Sequence, residues 1–146
     1  MKKLIFKADI RASKEKVWKT MLDPVTYIEW VKNSWPNSYY DGEWEKGTNI
    51  KFISPGRGGT LANLEECKPC DYIMARHIAV LNPNLTEDRT SNIAKDWIGI
   101  SESYTFSENN KVTTITVEIN TNPSWQRMFT DGWPAALKKL KEICER

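Results

Sequence analysis

Residues 17–30, VWKTMLDPVTYIEW, read as two short helices back to back, broken at Asp23-Pro24. Val17 and Met21, then Trp18 and Leu22, stand four apart, the spacing that puts side chains on one helical face. A residue before proline is pushed out of the α region, while proline suits the first turn of a helix. Asp23 therefore ends one helix and caps the next. Ser13 is a good N-cap for the first helix, with Glu15 near its positive end. Tyr27, Ile28 and Val31 are expected to form the buried side of the second.

Upstream, Leu4, Phe6, Ala8 and Ile10 alternate with Lys3, Lys7, Asp9 and Arg11, Ile5 being the exception, in the pattern of a half-buried strand. Downstream the period stays near two. Strands are expected over residues 38–44, 48–54, 59–67, 70–81, 96–106 and 111–120. Ser54-Pro55-Gly56-Arg57-Gly58-Gly59 reads as a loop, because breakers and three glycines crowded into six residues do not suit a strand ladder. Residues 82–94 are polar and aperiodic and read as a long loop, and Glu108-Asn109-Asn110 reads as a hairpin turn.

The chain closes on an amphipathic helix capped by Asn122, with Pro123 in its first turn. Trp125, Phe129, Trp133, Leu137, Leu140 and Cys144 recur at spacings of three and four. Pro134 lies inside this pattern and is expected to kink or divide the helix. Strand, helix pair, antiparallel strands, terminal helix: the order predicts an α+β fold. A curved sheet of about six or seven strands wraps round the last helix and leaves a cavity between them. Residues 1–146 are expected to form a single domain.

Composition narrows the function classes. An apolar fraction of 40% with 27% charged is that of a globular protein rather than a disordered one. A net charge of +2 gives no electrostatic case for nucleic acid or an anionic membrane. No apolar run reaches the length of a membrane span or a signal peptide, so a cytoplasmic location without membrane insertion is expected. Seven tryptophans suit the wall of a partly filled pocket, since each buries a large ring yet keeps one N–H needing a partner.

The pieces VWKTMLDP at 17–24, Trp30, Gly47, Asn49-Ile50-Lys51-Phe52, Pro69, Tyr104-Thr105-Phe106, Thr114-Ile115-Thr116-Val117 and Gly132-Trp133 with Leu137 and Leu140 together carry a resemblance. In this order they resemble the bacterial branch of the family named for an activator of the ATPase of the ninety-kilodalton heat-shock chaperone. That family lies within the START-like, polyketide-cyclase-like helix-grip superfamily. The resemblance covers essentially the whole chain and implies the helix-grip fold with its cavity. Superfamily members bind lipids, hormones and polyketides, and some catalyse cyclisation or aromatisation.

Candidate chemistry is sparse. Cys67-Lys68-Pro69-Cys70 has CxxC spacing, but a redox pair needs its attacking thiol at a helix N-terminus and both flanks read as strands. A closed zinc site would need His77 and Cys144 as its remaining ligands. The motif reads first as a turn between strands, with a facultative disulfide as the alternative, and no metal or cofactor is expected. His77, the only histidine, lies mid-strand beside Ala75 and Ala79 and reads as structural or solvent-facing before it reads as a general base. The glycine-rich run lacks the order of a phosphate cradle, and Lys138, Lys139 and Lys141 form a solvated face.

Glu102 is the sharper candidate, because it falls on the apolar side of Ile98-Ile100-Glu102-Tyr104-Phe106. Taking Tyr72-Met74-Arg76-Ile78-Val80 as the inward side of its strand puts Arg76 in the same cavity. The two would pair as a polar anchor. Phe52, Met74, Trp97, Tyr104, Phe129 and Trp133 are expected to line the pocket round them. The expected function is binding of a hydrophobic, partly aromatic small molecule, as carrier or sensor without chemistry. Two alternatives stay open: an enzyme using cavity water with Glu102 or His77 as acid or base, and a protein-interaction module. A homodimer is left open.

Overall fold

β1 (Lys2–Ile10) runs antiparallel to β8 (Val112–Thr121) over its whole length, from Lys2 opposite Thr121 to Ile10 opposite Thr113. The computed structural model describes residues 1–146. After β1 come α1 (Lys14–Leu22) and α2 (Pro24–Val31), then β2 (Tyr39–Asp41), β3 (Asn49–Ser54), β4 (Gly58–Lys68) and β5 (Tyr72–Leu81). A two-residue β6 (Glu87–Asp88), a short helix α3 (Asn92–Trp97), β7 (Ser101–Asn109) and β8 follow. A single turn of 3-10 helix (Pro123–Trp125) leads into α4 (Gln126–Glu145). The strands form one antiparallel sheet in the order β1-β8-β7-β5-β4-β3-β2, with β6 against β5. α4 packs on β1 and on both helices of the α1–α2 pair.

The helix pair forms as its residues dictate. Ser13 Oγ accepts from Lys16 N at 3.1 Å, and Asp23 Oδ1 accepts from Val25 N at 2.9 Å, with Pro24 opening α2. Trp30 Nε1 donates to Met21 O at 3.0 Å, which locks the second helix against the first. Trp30 and Val31 are buried, whereas Ile28 is exposed, so the inner side of α2 is turned toward Trp30 rather than Ile28.

On α4, Phe129, Trp133, Leu137, Leu140 and Cys144 are buried against the sheet. Facing them are Ile73 and Ala75 of β5, Tyr104 and Phe106 of β7, and Ile115, Val117 and Ile119 of β8, all in the same core. Each fully buried aliphatic side chain here contributes roughly 1.5–3 kcal/mol. Pro134 has no N–H for the carbonyl one turn back, yet α4 runs through it as one helix.

Three expectations are corrected. Gly58 is inside β4 rather than in a loop, one residue ahead of the strand start expected at Gly59. A Cβ on Gly58 would lie 2.0 Å from Leu81 O, and one on Gly59 would lie 1.9 Å from Phe52 O, so only glycine permits this approach of neighbouring backbones. Residues 82–97 contain β6 and α3 rather than loop and strand, and Trp97 belongs to α3, where Ser91 Oγ caps Ala94 N at 3.1 Å. The inward side of β5 is Ile73, Ala75, His77, Ala79 and Leu81, the opposite of the side expected. Both sides carry apolar residues, so alternation did not distinguish them. Register shifts at Leu61/Ala62 and Leu64/Glu66 bend β4 against this strand.

Candidate functional site

Between the sheet and α1, α2, α3 and α4 lies a cavity of about 330 Å³. Met21 and Leu22 end α1 in its wall, Tyr27 and Trp30 come from α2, Phe52 from β3, and Met128, Phe129 and Trp133 from α4. Trp35 and Trp44 enter from the segments on either side of β2, and Trp97 from α3. Exposed Tyr39 and Arg57 also border it, so the space runs from the core to the surface.

The rings are not independent. Trp133 lies 5.5 Å from Trp35, 5.7 Å from Tyr104 and 5.9 Å from Trp30 between centroids, and Trp97 lies 5.3 Å from Trp125 and 6.1 Å from Phe129. Edge and tilted contacts of this kind contribute about 0.5–1.5 kcal/mol each beyond area burial, which stiffens the wall.

Of the residues read from sequence, Phe52, Trp97, Glu102, Tyr104, Phe129 and Trp133 border this one cavity. Met74 and Arg76 do not. They lie on the other side of β5, where Arg76 Nε donates to Glu65 Oε2 at 2.9 Å and Nη1 to Gly99 O at 3.2 Å. The reason is register: Ala75, not Arg76, stands opposite Glu102. A one-residue offset turns every side chain of a strand to the other face.

The partner of Glu102 is His77. Its Nε2 lies 2.6 Å from Glu102 Oε2, and Tyr104 Oη donates to Glu102 Oε1 at 3.2 Å. His77 is 2% exposed and Glu102 8%. Burial, then the Glu102 charge, pushes the Tyr104 phenol well above its ordinary pKa, so Tyr104 keeps its proton and stays a donor. Burial followed by the same carboxylate raises Tyr27 as well. His77 packs edge-on to Trp97 at 5.2 Å and lies 6.1 Å from Phe52. Sequence reasoning missed this pair, although Ile73-Ala75-His77-Ala79-Leu81 is itself an apolar alternation with one polar member, as is the strand that carries Glu102.

Four buried nitrogens have no hydrogen-bond partner in the protein: Trp44 Nε1, Trp125 Nε1, Trp133 Nε1 and His77 Nδ1. Three belong to residues of the cavity wall, and the fourth belongs to Trp125, whose ring packs at a tilt against Trp97. An orphaned buried polar atom costs about 1–3 kcal/mol, so a cluster of them beside one cavity asks for a cause.

The thiols lie apart from this chemistry. Cys67, Cys70 and Cys144 are free, and Cys67 Sγ donates to Trp44 O at 3.2 Å. Burial raises the pKa of all three, the reverse of what an attacking thiol needs. No group of three or more His, Cys, Asp and Glu side chains is placed to hold a metal ion.

A curved antiparallel sheet closed round a C-terminal helix over an aromatic cavity defines an α+β helix-grip protein. The model of the Activator of Hsp90 ATPase homolog 1-like protein family matches residues 11–145, and the chain belongs to that family. Among solved structures, protein MLL2253 from Mesorhizobium loti superposes with a TM-score of 0.74 at 14% identity, covering 97% of this chain and 96% of that one. The Aha1 dimer from Colwellia psychrerythraea gives 0.73 at 20% identity over 99% and 97%. CalU16 from Micromonospora echinospora gives 0.65 at 16% identity over 97% and 75%. At these identities the likeness is one of fold. No curated protein sequence is significantly similar to the chain. No helix is long and apolar enough to cross a membrane.

Proposed function

We propose that this protein binds a hydrophobic, partly aromatic small molecule in the cavity between its sheet and α4. One observation carries the reading: a space of about 330 Å³ walled by aromatic side chains and bordered by buried nitrogens with no protein partner. That volume is at the low end of the range for ligand sites, roughly 300–1,000 Å³, and suits a compact ring compound better than a long acyl chain. A collapsed core beside a broad exposed apolar patch would instead have favoured a protein-interaction module. Phe52, Trp97, Tyr104, Phe129 and Trp133 supply the stacking surfaces in this reading, and Glu102 with His77 supplies the polar end.

Native mass spectrometry of freshly purified protein tests it. A small molecule that stays with the folded chain and leaves on denaturation is the expected result. Protein of the bare chain mass alone, from gentle preparations of several growth states, counts against the reading. The dimeric Colwellia relative supports a homodimer for this chain too, which light scattering across a concentration series checks.

A further inference from the structure

A carboxylate and an imidazole buried together in an aromatic wall are costly to keep there, and core packing does not explain them. One arrangement of protons satisfies every contact of the carboxylate. Tyr104 Oη donates to Glu102 Oε1, so that oxygen accepts. Glu102 Oε2 is satisfied in the same way when the His77 proton sits on Nε2, 2.6 Å away. The carboxylate is then ionised with both oxygens occupied, and His77 Nδ1 keeps a free lone pair with no donor in reach. An imidazole held by a carboxylate through one nitrogen, with the other unclaimed, is the arrangement of an oriented general base.

We propose that this dyad makes the cavity a proton-transfer site, in which His77 Nδ1 removes a proton from an acidic C–H or O–H of a bound aromatic or conjugated carbonyl compound. The proposal rests on the binding reading above. His77 is the catalytic residue, and Glu102 positions its ring and stabilises the imidazolium. Trp44 and Trp133 hold unpartnered N–H groups in the same wall, of the sign a developing oxyanion needs. Trp97 packs on the imidazole from α3, a six-residue helix whose only buried residue is Ala94. The other titratable groups bordering the cavity are Tyr27 from α2 and Tyr39 and Arg57 at the mouth. The rings of Phe52 and Trp97, which flank His77, carry none.

The probe is 5-nitrobenzisoxazole, a flat aromatic that opens when a base removes its ring C–H proton. The proton passes to Nδ1 and the C–H electron pair completes the nitrile. The N–O bond breaks, the oxygen leaves as the coloured cyanonitrophenolate, and the imidazolium returns its proton to water. Wild type is expected to turn the probe over with saturation, about 10²-fold or more faster than the same concentration of free imidazole. His77→Gln removes that rate. Glu102→Gln lowers kcat with little change in KM, because the carboxylate that holds the ring and balances the imidazolium formed in the step is gone, and Glu102→Asp restores part of the rate.

Should His77→Gln fail to fold, diethyl pyrocarbonate treatment of folded wild type serves instead. The chain has 1 histidine, so modifying it must abolish turnover. Quenching of tryptophan fluorescence reads probe binding separately. Quenching with no rate above imidazole overturns the proton-transfer proposal and leaves the binding reading intact. Absence of both quenching and turnover overturns the two together. Turnover that survives loss or modification of His77 overturns the assignment of the base.

Discussion

Glu102 Oε2 lies 2.6 Å from His77 Nε2, joining two buried side chains 25 residues apart across β5 and β7. Removing one member strands the other, which costs on the order of 3–5 kcal/mol for a buried pair. His77→Leu and Glu102→Leu should each destabilise strongly, while the double variant should be more stable than their sum by about 1 kcal/mol or more. Urea denaturation with unchanged slope measures the cycle. Additive losses would mean the two groups do not interact.

Arg76 gives the contrasting case. Its pairing with Glu65 is two-fifths exposed on both sides, at 41% and 43%. Arg76→Ala should therefore cost less than about 1 kcal/mol and leave cavity fluorescence unchanged. A loss of several kcal/mol in the same urea titration would restore Arg76 as a buried anchor.

The difference between these two residues marks where the sequence could be read. Punctuation was explicit at Ser13 and Asp23-Pro24, and each caps the helix it announced, whereas Asn122 caps the 3-10 turn before α4 and the long helix itself starts at Gln126 without a side-chain cap. The four-residue stripe of α4 and the alternation in β1 left one choice of inward side. β5 left two, because Tyr72, Met74, Ile78 and Val80 are as apolar as Ile73, Ala75, Ala79 and Leu81. Only pairing with β7 selects between them, and that contact is distant in sequence. α3 was missed for a different reason: at six residues it is too short to show a period. Glu102 was legible and its partner was not.

Gly132 faces Trp35 inside α4, where an added Cβ would lie 2.5 Å from the edge of the indole ring. Alanine is normally about 1 kcal/mol better than glycine within a helix. Here overpacking should win, with Gly132→Ala destabilising by roughly 1–3 kcal/mol and displacing Trp35, a cavity residue. A thermal melt with near-ultraviolet circular dichroism reports both effects, and a stabilised variant would contradict the packing described.

Glu145 ties the end of α4 to the turn after β1. Its Oε2 accepts from Arg11 N at 2.8 Å and from Lys141 Nζ at 2.6 Å. The backbone N–H of Arg11 and then Lys141 lower its pKa from 4.5 to about 2. A carboxylate depressed on folding contributes stability that is complete above its ordinary pKa and is lost as protons bind the folded state. Wild-type stability should therefore fall as pH drops from about 4.5 to about 2, and Glu145→Gln should flatten that part of the curve. Parallel curves for the two proteins in a pH series of melting temperatures would exclude this anchor.

Occupancy of the cavity is the claim on which the rest depends, and calorimetric titration with naphthol measures it most directly. Wild type should bind one molecule per chain with a negative heat-capacity change, the mark of apolar surface leaving water. Phe52→Trp, which puts a larger ring into the wall, should fold normally and lose the binding. No saturable heat up to the solubility of naphthol, or equal binding by Phe52→Trp, would contradict a ligand site between the sheet and α4.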